Sequence, residues 1–315
     1  MCVYCKILTL NSITDVRPDG VMFQQSLYLT QDSHSLHIRN IHKAAGGIPV
    51  LMFHGAIENG KIFYTESGKG FASYLAEQGY DVYVADFRGR GLSTPKIDGG
   101  SNFGQHETIV HDIPALIEYV YDLTKQPMHV VCHSWGGVLF GSALARFPDL
   151  LPHVRSQLCF GTKRRVSVWN IERVLKVSLV WNFLSPIITK RTGFLNAVKY
   201  GIGSDNETHQ SIIEGVNWVK SKTWIDPIDN FDYSAAAQKI EWPATWHITG
   251  IKDFALGHAQ DVKLFINESS KNAARFSNLS KKGGYKLDYD HINILTSPHA
   301  PYDHFPEIVD WLKQH

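Results

Sequence analysis

The segment Val130-Val-Cys-His-Ser134-Trp-Gly-Gly is a short apolar run that ends at a serine and passes at once into a helical pattern beginning near Gly136. A serine delivered by a strand-turn-helix bend is a candidate nucleophile, because the bend exposes its hydroxyl and strains its backbone. The bend also brings neighbouring chain close, so the positions two before and two after must be small. Gly136 meets this fully and Cys132 approximately. A serine after a strand is often only a helix cap, so the surrounding residues decide. Serine is a weak nucleophile at neutral pH, and attack requires a histidine to take its proton and a carboxylate to fix the histidine's tautomer. Downstream, Asp253 follows the apolar run that ends at Thr249, and His258, His291, His299 and His304 are the histidines to weigh, the last with Asp303 beside it. His133, next to the serine, is expected to pack rather than react.

These residues need a frame. Pro49-Val-Leu-Met-Phe, Asp81-Val-Tyr-Val-Ala, Met128-His-Val-Val-Cys, Gln157-Leu-Cys-Phe and Thr245-Trp-His-Ile-Thr are nearly continuous apolar runs, as parallel strands buried on both faces require. A last strand candidate spans Ala274 to Leu279. Between the runs, Phe71 to Gln78, Thr108 to Leu123, Val138 to Arg146 and Pro306 to Lys313 carry apolar residues at helical spacing, such as Ile109, Ile113, Leu116 and Val120. Phe23 to Ile38 alternates around Asp32-Ser33 and predicts a leading hairpin. The fold class is therefore α/β: an open, mostly parallel sheet with helices on both faces. From about 163 to 239 the strand signal gives way to helical, aromatic-rich sequence containing Trp169, Trp181, Phe183, Phe194, Tyr200, Trp218 and Trp224. That stretch is too long for a plain connection. It predicts an inserted helical lid at 163–239, with core residues 20–162 and 240–315 on either side. The apolar run from Val174 to Ile188 is a candidate cover for a pocket.

Phe53-His54-Gly55-Ala56, Asp86-Phe-Arg-Gly-Arg-Gly-Leu-Ser93, the Ser134 bend, Asp253 and Asp290-His291 follow one another in the order and spacing of the α/β-hydrolase fold, and the chain resembles that family over almost its whole length. The resemblance implies Ser134 as nucleophile, His291 as base and Asp253 as orienting acid. It also implies an oxyanion hole from the N–H groups of Ala56 and Trp135, and a structural role for the Asp86 turn. The block from His106 through Asp112-Ile-Pro-Ala-Leu-Ile-Glu-Tyr to His133-Ser134-Trp is similar to acid and gastric lipase-like enzymes. The implied reaction is cleavage of a small-molecule ester with an apolar or aromatic acyl group, through an acyl-enzyme and without a cofactor or metal. Two alternatives stand: an aminopeptidase or amidase, for which Glu172, Glu207 or Glu214 would hold a free amine, and a non-catalytic ligand-binding protein. Lys163, Arg164 and Arg165 are candidate contacts to an anionic group on the substrate, against a plain reading as a solvated basic turn.

Composition narrows the field further. With 315 residues, 43% of them hydrophobic and 19% charged, the chain can bury a full core unaided. Thirty-one basic against thirty acidic side chains leave a net charge of +1 and no field to gather nucleic acid. The sixteen histidines show no metal-ligand spacing, and Cys2-x-x-Cys5 is an unmatched half-site. Gly55 to Ile62 nearly completes a phosphate-binding loop, but Ile62 lacks the hydroxyl that would hold magnesium. No secretory signal or transmembrane run is visible, and Cys132 and Cys159 lie in apolar strands, so a cytoplasmic location is expected. Nothing in the sequence speaks to oligomeric state.

Overall fold

The computed structural model describes residues 22–31 and 33–315; the Cys2/Cys5 pair, the N-terminal stretch and Asp32 of the predicted turn lie outside the described residues. Among the described residues ten strands are formed: β1 Phe23–Gln31, β2 His34–His42, β3 Pro49–Phe53, β4 Asp81–Ala85, β5 Met128–His133, β6 Val154–Phe160, β7 Phe194–Leu195, β8 Glu207–Thr208, β9 Ala244–Gly250 and β10 Ala274–Leu279. Eight of them make one sheet in the order β1-β2-β4-β3-β5-β6-β9-β10. The hairpin pairs antiparallel with itself and with β4, and every other pairing in this sheet is parallel.

The continuous apolar runs become the central strands because both of their faces are covered. Along β3, Leu51 and Phe53 enter one hydrophobic cluster while Val50 and Met52 enter the other. Tyr83 and Ala85 alternate with Val82 and Val84 in the same way on β4. Among the helices are α1 Phe71–Glu77, α2 Gln105–Glu107, α3 Ile113–Thr124 and α4 Trp135–Arg146. The first cluster is closed by α3 and α4 through Ile113, Leu116, Val120, Val138 and Phe140. The second is closed by α1, through Phe71, Ala72 and Leu75, and by the C-terminal helix Phe305–Gln314, through Ile308, Val309, Trp311 and Leu312.

Two expectations are refined. The helix predicted from Thr108 is π-helical over Thr108–Asp112 and becomes α-helical only at Ile113. Pro114 sits in the first turn of α3, where its missing N–H is tolerated but cannot extend the preceding ladder. The stretch 163–239, between β6 and β9, is mostly helical: a π-helix Arg173–Leu184, α5 Ser185–Thr192, α6 His209–Lys220 and α7 Tyr233–Ala237. It also contains the short antiparallel pair β7/β8, which the sequence reading did not anticipate. Its aromatics divide: Trp218 and Trp224 are buried, whereas Trp169, Phe183 and Tyr200 are exposed.

Candidate active site

Ser134 lies at the sharp bend between β5 and α4 with φ 51° and ψ −123°, a left-handed backbone that non-glycine residues rarely adopt. The Ser134 N–H donates to the Phe160 carbonyl at 2.7 Å, tying the bend to the end of β6. Gly136 is required there, since a Cβ would drive into the His54 carbonyl. Cys132 stands where a glycine was the simplest choice, in register with Cys159 on β6 and Phe53 on β3. Both cysteines are free and buried.

His291 brings its Nε2 to 2.9 Å from Ser134 Oγ, and its Nδ1 lies 2.5 Å from Asp253 Oδ2. The carboxylate can only accept, so Nδ1–H donates to it, Nε2 is left as an acceptor, and the Ser134 hydroxyl donates. The other oxygen of Asp253 accepts N–H bonds from Leu256 at 3.0 Å and Gly257 at 2.8 Å. Burial alone would raise the Asp253 carboxyl, but His291, through charge and hydrogen bond, holds it below its ordinary value. The three residues predicted to act together are therefore in one hydrogen-bonded chain, spread over turns that follow β5, β9 and β10. His258, His299 and His304 are not in that chain; His304 Nε2 meets the Ile294 carbonyl at 2.8 Å.

The loop after β3 is held by two buried histidines. His54 Nδ1–H donates to the Gly55 carbonyl at 2.8 Å and its Nε2 accepts the Phe87 N–H at 3.1 Å. That tautomer is neutral, in keeping with burial lowering the His54 pKa. In the loop, the Gly55 N–H donates to Glu58 Oε2 at 3.0 Å and the Ile57 N–H to Glu207 Oε2 at 3.3 Å. The Ala56 N–H between them has no acceptor among the described residues. Trp135 is the first residue of α4, where the N–H has no partner within its own helix. Ala56 and Trp135 both line the cavity that Ser134 faces.

His133 does more than pack. Its Nδ1 lies 2.8 Å from Glu58 Oε2 and its Nε2 lies 3.0 Å from the His291 carbonyl oxygen. Both partners are acceptors, so both ring nitrogens donate and the ring is an imidazolium paired with a carboxylate. Burial opposes the charge on Glu58, yet His133 holds its carboxyl at about 2. Burial likewise opposes the charge on His133, and Glu58 lifts it above its ordinary value. This pair ties the loop after β3 to the loop that carries His291. It escaped sequence reading because Glu58 and His133 are 75 residues apart.

The Asp86 turn has the structural role expected of it. Its carboxylate accepts the N–H groups of Gly60 and Leu92 at 2.7 and 2.8 Å and meets His37 Nδ1 at 2.8 Å.

The cavity beside Ser134 and His291 encloses about 640 Å³. Val177, Val180 and Trp181 of the π-helix line it, so the apolar run singled out as a cover does border the pocket. Of the three basic residues proposed to meet substrate, Lys163 lines the cavity and the other two do not. Arg164 is fully buried and donates to Glu268 and to the carbonyls of Trp218, Ser221, Lys222 and Thr223. Arg165 pairs with the same Glu268 at 2.7 Å. The donors of Arg164 are spent on the fold, which corrects the expectation for it, while Arg165 is partly exposed and stands off the cavity lining. The acids weighed for an amine also lie off the cavity lining. Glu172 pairs with Lys176 at 2.5 Å, Glu207 with Arg90, and Glu214 accepts the Gln105 N–H at 2.6 Å.

Residues 48–157 match the family model described as alpha/beta hydrolase fold. Triacylglycerol lipase 2 of Arabidopsis thaliana is 28% identical over 153 residues, which is 44% of this chain and 36% of that protein. Lipase 1 of Drosophila melanogaster is 30% identical over 119 residues, 35% of this chain and 27% of that protein. The chain thus matches about a third of the length of these curated relatives. Among solved structures, a soluble variant of monoglyceride lipase from Saccharomyces cerevisiae superposes with a TM-score of 0.63 at 14% identity, covering 96% of this chain and 98% of that one. An esterase from Thermogutta terrifontis superposes with a TM-score of 0.54 at 15% identity, covering 92% and 98%. At such identities the superpositions speak to the fold.

Proposed function

We propose that this chain, a member of the α/β-hydrolase superfamily, is a serine hydrolase that cleaves carboxylic esters of small, largely apolar molecules. The observation that carries the reading is the unbroken relay from Ser134 Oγ through His291 to Asp253 at 2.9 and 2.5 Å. In this reading Ser134 attacks the ester carbonyl as its proton passes to His291 Nε2. The Ala56 and Trp135 N–H groups receive the developing oxyanion, and the imidazolium returns the proton to the leaving alkoxide. Water then attacks the acyl-enzyme with His291 again as base. The relay needs no cofactor.

The cavity favours esters over amines as the recognised group. Its lining is dominated by apolar side chains, and Glu58, the carboxylate among the lining residues, is engaged by His133 and Gly55. The lipase names of the curated relatives support the same substrate class. The segment 163–239 would act as the lid over this cavity, and the two adjacent free thiols of β5 and β6 fit a reducing, cytoplasmic setting.

Stopped-flow hydrolysis of p-nitrophenyl esters tests the proposal. A burst of one p-nitrophenolate per chain, followed by slower turnover, is expected, with kcat lowered by about 10⁴-fold or more in Ser134→Ala. Turnover that survives in Ser134→Ala would overturn it.

A further inference from the structure

We propose that Lys163 binds an anionic group, a carboxylate or phosphate, on the substrate that Ser134 attacks. The inference rests on the hydrolase reading and names its substrate class: an apolar ester that carries one anionic group.

Lys163 follows β6 by three residues and lines the same cavity as Ser134 and His291. It is only 8% exposed. A buried ammonium is costly unless it is paired, and among the described residues no carboxylate forms an ion pair with it. The nearby acids are engaged elsewhere. Glu268 serves Arg164 and Arg165. Asp253 serves His291, Leu256 and Gly257. Asp261 takes the N–H and hydroxyl of Ser167 on Oδ1 at 2.8 and 2.6 Å, and its Oδ2, although buried without a hydrogen-bond partner, forms no ion pair with Lys163. What the ammonium does have is the Trp135 ring, 5.5 Å from its nitrogen. A cation–π contact is too weak to offset burial of a full charge.

The rest of the cavity sharpens the contrast. Its other cations, Lys61 and Lys176, pair with Glu66 and Glu172 near the surface. Its acid, Glu58, is matched by His133. Lys163 is thus the unmatched charge among the described lining residues, set beside Trp135, whose backbone N–H is proposed to receive the oxyanion. Val166, Val177, Val180 and Leu256 make the remaining walls apolar. Burial lowers the Lys163 pKa, with Asp253 and Asp261 opposing it from a distance. An incoming anion would offset the cost of burying the ammonium and gain a charge-assisted hydrogen bond in a dry site.

Paired substrates separate charge from shape. The mono-p-nitrophenyl ester of adipic acid carries a carboxylate on the acyl side, and its methyl-capped diester does not. The compounds 4-butanoyloxyphenyl phosphate and 4-butanoyloxyanisole make the same comparison on the alcohol side. In at least one pair the charged member is expected to have the higher kcat/KM by about tenfold, and the preference should fall by about tenfold in Lys163→Met and return in Lys163→Arg. Absence of any preference in the wild type overturns the proposal without a variant. A preference unchanged in Lys163→Met does so too, and would leave Lys163 to the field of Asp253 and Asp261. Calorimetric titration of Ser134→Ala with N-butylsuccinamate and with neutral N,N′-dibutylsuccinamide needs no turnover. Selective binding of the anion that is lost on adding Lys163→Met supports the site even if no ester is cleaved, an outcome that would count against the hydrolase reading alone. Equal binding of the two compounds overturns it.

Discussion

His133 and Glu58 illustrate how much at this site is decided by donor counting. An imidazolium that donates to both the Glu58 carboxylate and the His291 carbonyl fixes the loop after β3 against the loop bearing the base. In Glu58→Gln the amide cannot match a buried cation, so the Gly55-Ala56 loop loses its anchor. Removing one partner of a buried pair costs on the order of 3–5 kcal/mol, which a urea titration would read. Ester turnover should fall by about tenfold, chiefly in kcat, because the Ala56 N–H is no longer held where an oxyanion forms. Undiminished kcat in a stable variant would remove Glu58 from that role. At this scale Ser134 was legible, since its strand, its bend and Gly136 are contiguous in sequence. Asp253 and His291 took on roles through family order. The Glu58–His133 pair was illegible because nothing in either residue's neighbourhood encodes the other.

Elements were legible where hydrophobic pattern and burial coincide. Pro49–Phe53 and Asp81–Ala85 form strands over the residues whose apolar runs predicted them, and both are buried throughout. The π-helical turns were not legible, because they differ from α-helix by one residue per turn and leave the apolar spacing nearly unchanged. Arg164 shows the opposite failure: a basic triplet reads as a solvated turn or a substrate contact, while its real partner, Glu268, is 104 residues away. Arg164→Met should leave Glu268 and four backbone carbonyls without their donor and destabilise the protein by about 3–5 kcal/mol, measured by chemical denaturation. Its selectivity between charged and neutral esters should not change. On the π-helix, Trp181→Ala enlarges the cavity wall and should move the kcat/KM optimum toward longer acyl chains in a series from four to twelve carbons. An unmoved optimum would place the acyl chain elsewhere.

For the molecule as a whole, stability against pH carries the imprint of the same buried pair. The Glu58 carboxyl is held at about 2, below the roughly 4.3 of an unfolded glutamate, so its contribution is present above that value and is lost as pH falls toward 2. His133 is raised above its ordinary value, so its contribution is full below the roughly 6.5 of unfolded histidine and is lost as pH rises through the folded value. The stability difference between wild type and Glu58→Gln should therefore be greatest between about pH 4.5 and 6.5 and shrink on both sides; a difference flat across pH would contradict the ionised pair. Among the described residues no helix is long and apolar enough to cross a membrane.

The central claim, that Ser134 is an activated nucleophile, is tested most directly by incubating the folded protein with a fluorophosphonate and mapping the adduct by mass spectrometry. The account predicts one adduct per chain, on Ser134, absent from Ser134→Ala and formed far more slowly in His291→Ala. No adduct on folded wild-type protein, or an adduct that persists in Ser134→Ala, would contradict it.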